Sequence, residues 1–395
     1  MKTRLLLFGL LILVFGQCKN RIKKEESNHQ YVKHGAKIEK IDSLMQSLVK
    51  NKHTLGITFG IQIADNDSFM SAYGWADLEQ HKSVEINTKF GLASVTKPFT
   101  AVAIAQLAKD GKLTFEDPLT RFFPDFPEGE KVTIYQLLSH TSGINEWWMG
   151  GLPKDTPEDW VTGANPHEYV QRMDTLYLFE PGTRYSYSNM GYLLLGEIIE
   201  KISGKHYSTY LQEFIFIPLG MLHTGLVSDK ETFKDMAKGY GIQEESDAMA
   251  TRFVASPFIA GSLKSFGGLK SNVGDMLIWS RALFNGQLID KGTVDKLTTY
   301  ARVSSHLPVY EVKYIDPKFS PPPPQDFMKK DGYALGFSRT EIYGKQAIWH
   351  SGGMPGFNTL WFYFPESDVS LVILSNTDNG IIPAFEEIMK VVTEI

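Results

Sequence analysis

Three short runs carry residue types that together can turn a serine into a nucleophile: Ser94-Val95-Thr96-Lys97, Tyr187-Ser188-Asn189 and His350-Ser351-Gly352-Gly353. A serine hydroxyl attacks a carbonyl carbon poorly until a base takes its proton. An amine three residues further on can do so, because positions i and i+3 share one face of a helix. Ser94 follows Phe90-Gly91-Leu92-Ala93 and opens an apolar run, with Pro98 close enough to the start that its missing N–H breaks no intrahelical bond. The hydroxyl then sits at a positive helix end, which favours developing negative charge. Burial of Lys97 would favour the neutral amine that accepts a proton. Taken alone, the pair reads as a helix-capping serine beside a solvated lysine, and the same spacing recurs at Ser47 to Lys50 in an ordinary amphipathic pattern.

The second run lies in a stretch dense in turn formers, Pro181 to Tyr192, which predicts a loop before an apolar helix and can project side chains into a cleft. There the Tyr187 phenol could relay protons. The Asn189 amide has a donor for a substrate carbonyl and can also hold the lysine. Both are equally at home as a rim aromatic and a turn residue. The third run follows the short apolar lead Ala347-Ile348-Trp349, which places it on a sheet edge. Gly352 and Gly353 would permit close backbone approach of a ligand, and an N–H of this strand could pair with that of Ser94 to hold an oxyanion. His350 alone would be an ordinary core histidine.

Periodicity supplies the frame. Ile38, Ile41, Leu44, Met45 and Leu48 recur at helical spacing; Ile57 to Ile63 and Phe69 to Tyr73 read as strands joined by a turn at Asp65-Asn66-Asp67. At the other end, Thr359 to Phe364 and Val369 to Leu374 read as strands and Ile382 to Val392 as a closing helix. Between them, Phe99 to Leu107, Leu193 to Ile202 and Met276 to Leu283 have helical length and period. The expected class is α+β: an antiparallel sheet flanked by helices, built from about 38–90 and 331–395, with a helix-rich subdomain inserted at about 91–330. Pro321 to Pro324 predicts an extended surface connector.

The N-terminus predicts export. Lys2 and Arg4 precede the apolar run Leu5 to Phe15, which is shorter than the roughly 20 residues of a bilayer span, so residues 1–17 read as a signal peptide. Cys18 is the only cysteine, so no intrachain disulfide is possible. It resembles the lipid-modified cysteine of bacterial lipoproteins, with Gln17 where a small residue is usual. The alternative is a secreted protein with an incidental cysteine. Residues 18–37 are polar and suit a solvated tether, placing residues 38–395 at the cell envelope on a membrane anchor.

Composition narrows the classes. With 395 residues, 43% of them hydrophobic, and a net charge of −5, the chain can bury a large core and has no general attraction to nucleic acid. The ten histidines show no His-x-x-x-His or His-x-His spacing, which disfavours a metal hydrolase; no cofactor is expected. No Gly-x-Ser-x-Gly elbow occurs, which disfavours an α/β-hydrolase.

The three motifs, with Leu137 to Ile144, Pro218-Leu219-Gly220-Met221 and Gly267 to Ser271, resemble the serine β-lactamase family of penicillin-recognising enzymes, in the branch with class C β-lactamases, D-alanyl-D-alanine carboxypeptidases and related esterases. The resemblance runs from about Gly56 to Asn376. It implies a β-lactamase/transpeptidase-like fold and a Ser94 acyl-enzyme formed from a small-molecule or peptide substrate. Lys97 and Tyr187 would form one acid–base unit, with the first acceptor of the proton left open. Asn189, His350, Ser351 and Gly352 would meet substrate, and the N–H groups of Ser94 and Gly353 would form the oxyanion hole. Class C enzymes carry lysine where His350 stands. A histidine there is mostly neutral at pH 7, which points toward peptide or ester donors rather than efficient β-lactam hydrolysis. Trp147, Trp148, Trp160 and Tyr169 would form either a lid over the cleft or core. The rival reading is a non-catalytic surface lipoprotein that binds peptidoglycan fragments or β-lactams as a sensor.

Overall fold

A computed structural model of the chain describes residues 35–64, 67–146, 166–171, 175–227, 235–242, 249–250, 263–312 and 326–395. The expected signal peptide, Cys18, most of the tether, Trp147, Trp148, Trp160, the side chain of Tyr169 and Pro321 to Pro324 lie outside what is described.

The first described element is helix α1 (Gly35–Lys50), which starts three residues before the apolar repeat and buries Ile38, Ile41, Met45 and Leu48 along one stripe. Ser47 and Lys50 stay exposed on its outer face, as expected of an ordinary amphipathic helix. Strands β1 (Gly56–Ile63), β2 (Asp67–Asp77) and β3 (Lys82–Ser83) follow. The C-terminal part supplies β9 (Met328–Tyr333), β10 (Ser338–Ile342), β11 (Lys345–Met354), β12 (Phe357–Phe364) and β13 (Val369–Ser375), then helix α9 (Phe385–Val392). These eight strands form one antiparallel sheet in the order β3-β2-β1-β13-β12-β11-β10-β9. The N-terminal strands and the C-terminal strands join at its centre, where β1 pairs with β13, Ile57 opposite Ser375 and Ile63 opposite Val369.

Side-chain alternation along β1 divides two cores. Ile57, Phe59 and Ile61 point to one face, where they pack with Leu371 and Ile373 of β13, with α1, and with Ile388 and Met389 of α9. Gly60 points to the other face, where a Cβ would come within 2.6 Å of Val273, so its absence lets helix α7 (Val273–Phe284) lie directly on the sheet. β13 is buried along its whole length because both faces are covered.

The middle of the chain builds the helical layer: α2 (Thr96–Lys109), α3 (Ile134–Leu138), α4 (Pro166–Gln171), α5 (Asn189–Ser203), α6 (Tyr207–Leu211), α7 and α8 (Lys291–Thr298). Short strands β4 (Phe90–Gly91), β5 (Gly225–Leu226) and β8 (Leu269–Ser271) pair within it, and β6 (Gly241–Ile242) pairs with β7 (Met249–Ala250). Helix α2 is buried on nearly every side, from Thr96 to Ala105 and again at Leu107, so it runs through the core between the sheet and α5.

Candidate active site

Ser94 does not open a helix directly. It sits, half-buried, in a single 3-10 turn, Ala93–Val95, and α2 begins two residues later at Thr96. Ala93 holds the left-handed conformation, φ +46°, which bends the chain sharply between β4 and the turn. The segment around β8 fixes this bend. Leu92 N–H donates to Leu269 O at 2.8 Å, and Leu269 N–H donates to Thr96 Oγ1 at 3.1 Å.

Lys97 lies one turn on and is wholly buried. Its Nζ is 3.1 Å from Ser94 Oγ, 2.7 Å from Asn189 Oδ1 and 2.9 Å from Phe266 O. Burial drives its pKa well below the ordinary lysine range, and the Glu146 carboxylate nearby partly opposes that. In its neutral form the amine would have two N–H donors and one lone pair. The two carbonyl oxygens can only accept, so in that form they would take the two N–H groups and leave the lone pair to the serine hydroxyl, whereas the ammonium form donates to all three oxygens.

Tyr187 and Asn189 arrive as expected at the head of an apolar helix. Ser188 between them is the N-cap of α5, its side chain accepting from Gly191 N–H, and Asn189 is the first helical residue. The capping serine turns Asn189 onto Lys97. The Asn189 backbone N–H donates to the Glu146 carboxylate, an anion favourably placed at the N-terminal end of α5. The half-buried Tyr187 ring lies 4.7 Å from Lys97 Nζ, ring centroid to nitrogen.

The third motif lies on β11. Pairing with β10 ends at Trp349, while pairing with β12 continues through Met354, so residues 350–354 have a strand neighbour on one side only. Two of the expectations change here. His350 is 3% exposed; its Nδ1 donates to Ser351 O at 2.7 Å, and its Nε2 accepts from Tyr333 Oη at 2.8 Å. Burial, reinforced by Lys97, pushes its pKa down to about 3, so the ring is neutral and both its nitrogens are engaged by protein groups. Gly352 does not leave room for a ligand. A Cβ there would stand 2.0 Å from Leu92 O and 3.2 Å from Ala93 Cβ, so the space is filled by the nucleophile turn itself. Gly353, exposed and with nothing within 4 Å of a Cβ position, is the glycine with open space. The close packing at Gly352 sets Gly353 beside the Ser94 turn, and Ser351 is half-buried on the same strand.

Four contributors carried no assigned role in the sequence. Phe266 acts through its carbonyl, which has no side-chain signature. Tyr333 bonds His350 from β9, far along the chain. Glu146 is one carboxylate among many. His140, in the Leu137 to Ile144 run, was visible only as part of that run; it lies fully buried against Tyr187 with a ring centroid separation of 4.2 Å. Among the described residues, no group of three or more His, Cys, Asp or Glu side chains gathers as a metal site.

A family model described as Beta-lactamase matches residues 41–389. Penicillin-binding protein 4* of Bacillus subtilis (strain 168) is 27% identical over 361 residues, covering 85% of this chain and 73% of that protein. The penicillin-binding protein from Bacillus halodurans superposes with a TM-score of 0.70 at 26% identity, covering 87% of this chain and 98% of that one. The fold also matches D-amino acid amidase from Ochrobactrum anthropi SV3 in complex with D-phenylalanine, with a TM-score of 0.74 at 22% identity over 90% of this chain and 99% of that one. With a buried lysine turned on a serine inside this fold, and with the family match spanning nearly the whole chain, the protein belongs to the beta-lactamase family and is a serine hydrolase.

Proposed function

We propose that the protein hydrolyses a peptide, amide or ester acyl donor of the D-alanyl type through a Ser94 acyl-enzyme. The observation that carries this reading is the setting of the buried Lys97 Nζ, within hydrogen-bond reach of two carbonyl acceptors and of Ser94 Oγ, so that the neutral amine would direct its N–H groups to the carbonyls and keep its lone pair for the serine hydroxyl.

As Ser94 Oγ bonds to the substrate carbonyl carbon, its proton passes to the acid–base unit of Lys97 and Tyr187. The carbonyl oxygen becomes an oxyanion, held by the backbone N–H groups of Ser94 and Gly353. Collapse breaks the bond to the leaving amine or alcohol, which takes the proton back from the same unit. Water then adds to the acyl-enzyme by the reverse sequence and releases the acid. Asn189 orients the donor through its amide N–H while its oxygen holds Lys97.

His350 is neutral and buried, so it supplies no fixed cation for a substrate carboxylate. On this reading β-lactams acylate slowly, and amide and ester donors are preferred. The D-amino acid amidase is a fold neighbour with an amide-cleaving name, which agrees with that preference. Residues 1–17 serve as an export signal and Cys18 as a lipid anchor to the envelope membrane.

The test is time-resolved intact mass of the purified protein mixed separately with a penicillin, a D-alanyl-D-alanine peptide and an aryl ester, beside Ser94→Ala. A transient adduct with the peptide or ester, absent in Ser94→Ala, is the expected result. A stable penicillin adduct without turnover of any donor would replace this reading with the sensor. Labelling with a radioactive fatty acid in a bacterial host, lost in Cys18→Ser, tests the anchor.

A further inference from the structure

Tyr187 sits between two residues that hang on a single histidine. The His140 carbonyl accepts from Ser186 N–H at 3.0 Å, and His140 Nδ1 accepts from Ser188 N–H at 3.1 Å. The imidazole also packs on the Tyr187 ring at 4.2 Å between centroids, with a 35° tilt between planes. One residue therefore grips the backbone on both sides of the phenol and supports its face.

The backbone makes this double grip possible. His140 lies just past α3 with φ +60°, a left-handed conformation that turns its carbonyl and its ring toward the same segment. Because Nδ1 accepts a backbone N–H, the neutral ring carries its proton on Nε2. Nε2 finds no hydrogen-bond acceptor among the described residues, and the ring is only 1% exposed. A buried polar ring kept with one donor unmatched costs stability, and such a cost is tolerated where geometry matters more.

We infer that His140 is a positioning residue, which holds the Tyr187 hydroxyl in register with Ser94 and Lys97 for proton transfer. The inference rests on the reading of Tyr187 given above. The ring stays neutral while doing so: it faces Lys97 of α2, Tyr185 and Tyr187 of the loop, Tyr192 of α5, Tyr333 of β9 and His350 of β11. Burial first, and then Lys97 and His350, disfavour a proton on it. Its contribution is thus geometric and does not come from a charge of its own.

Asparagine and glutamine discriminate the grip from mere bulk. In His140→Asn the amide oxygen would fall near the Nδ1 position, and asparagine tolerates a left-handed backbone; in His140→Gln the longer side chain would carry its oxygen nearer Nε2. Turnover of the best ester donor is measured for His140→Asn, His140→Gln and His140→Leu, each also combined with Tyr187→Phe. The expected result is that His140→Gln and His140→Leu lose about 100-fold in kcat with little change in KM, at the lower end of what acid–base catalysis supplies. His140→Asn recovers kcat to within about 5-fold of native on the same scale. In the Tyr187→Phe background, replacing His140 costs nothing more. Equal losses in both backgrounds, or equal activity of the Asn and Gln variants, overturn the inference even if His140→Leu fails to fold. Full activity in Tyr187→Phe alone instead overturns the reading of Tyr187, so the two failures are distinct.

Discussion

Asn189 Oδ1 lies closer to Lys97 Nζ than Ser94 Oγ does, 2.7 Å against 3.1 Å. The lysine amine is thus held by Asn189 of the second motif and only poised against Ser94 of its own. Replacing Asn189 by leucine removes the acceptor and leaves a buried N–H unmatched, a cost of about 1–3 kcal/mol. We expect kcat/KM to fall roughly 10- to 100-fold at about 1.4 kcal/mol per decade. Burst kinetics with an aryl ester check this; an unchanged burst rate would show that Phe266 O suffices to orient the amine.

Lys97→Arg keeps a long basic side chain but cannot supply a neutral base at any accessible pH. Acylation should fall by at least about 10³-fold, in the range seen when a member of a nucleophile–base pair is removed. Circular dichroism melting alongside separates lost chemistry from lost folding. Retained acylation would shift the role of base wholly to Tyr187.

The pH dependence has a definite sign. Burial lowers the Lys97 pKa and Glu146 raises it, so Glu146→Gln lowers it further while keeping an oxygen for the Asn189 N–H. Acylation needs the neutral amine, so the acidic limb of kcat/KM moves to lower pH in Glu146→Gln. An acidic limb that stays in place or moves upward would remove Lys97 from that limb. Stability follows the same group: above the folded pKa the native protein holds no proton on Lys97, while the unfolded chain holds one up to about 10.4. Between those values the unfolded state binds more protons, so stability rises with pH across the window, and below it the buried site works against folding.

The two neighbouring glycines should part company on substitution. Gly352→Ala drives a methyl into Leu92 O, a backbone atom that cannot swing aside, and is expected to cost about 1–3 kcal/mol together with most of the activity. Gly353→Ala meets no atom and should change stability by less than about 0.5 kcal/mol, while crowding the mouth beside Ser94. Thermal melts of both variants decide it; equal melting losses would contradict the packing described for Gly352.

The three motifs were legible because each chemical role needs a particular functional group: an amine one turn from a hydroxyl, a phenol and an amide at a helix head, glycine where a strand passes a turn. The strands at the two ends were legible for a similar reason, since Ile57, Phe59 and Ile61 alternate and Val369 to Ser375 is apolar throughout its central part. What the sequence hid was supplied by backbone atoms and by long-range pairing. Phe266 O and Leu269 N–H carry no side-chain signal, and the left-handed Ala93 that delays α2 has no glycine to announce it. The function expected for Gly352 was misplaced because a glycine reads the same whether a ligand or the protein's own turn comes close.

The neutrality of Lys97 has a temporal side. Its first cause is removal from water, and that enclosure is assembled from segments near residues 97, 189 and 266, which are far apart along the chain. Until all three have docked, the amine stays in water as an ordinary ammonium and the serine beside it is inert. The reactive state is therefore a property of the assembled fold, and a chain in which these segments are apart has no activated serine to take an acyl group from a donor.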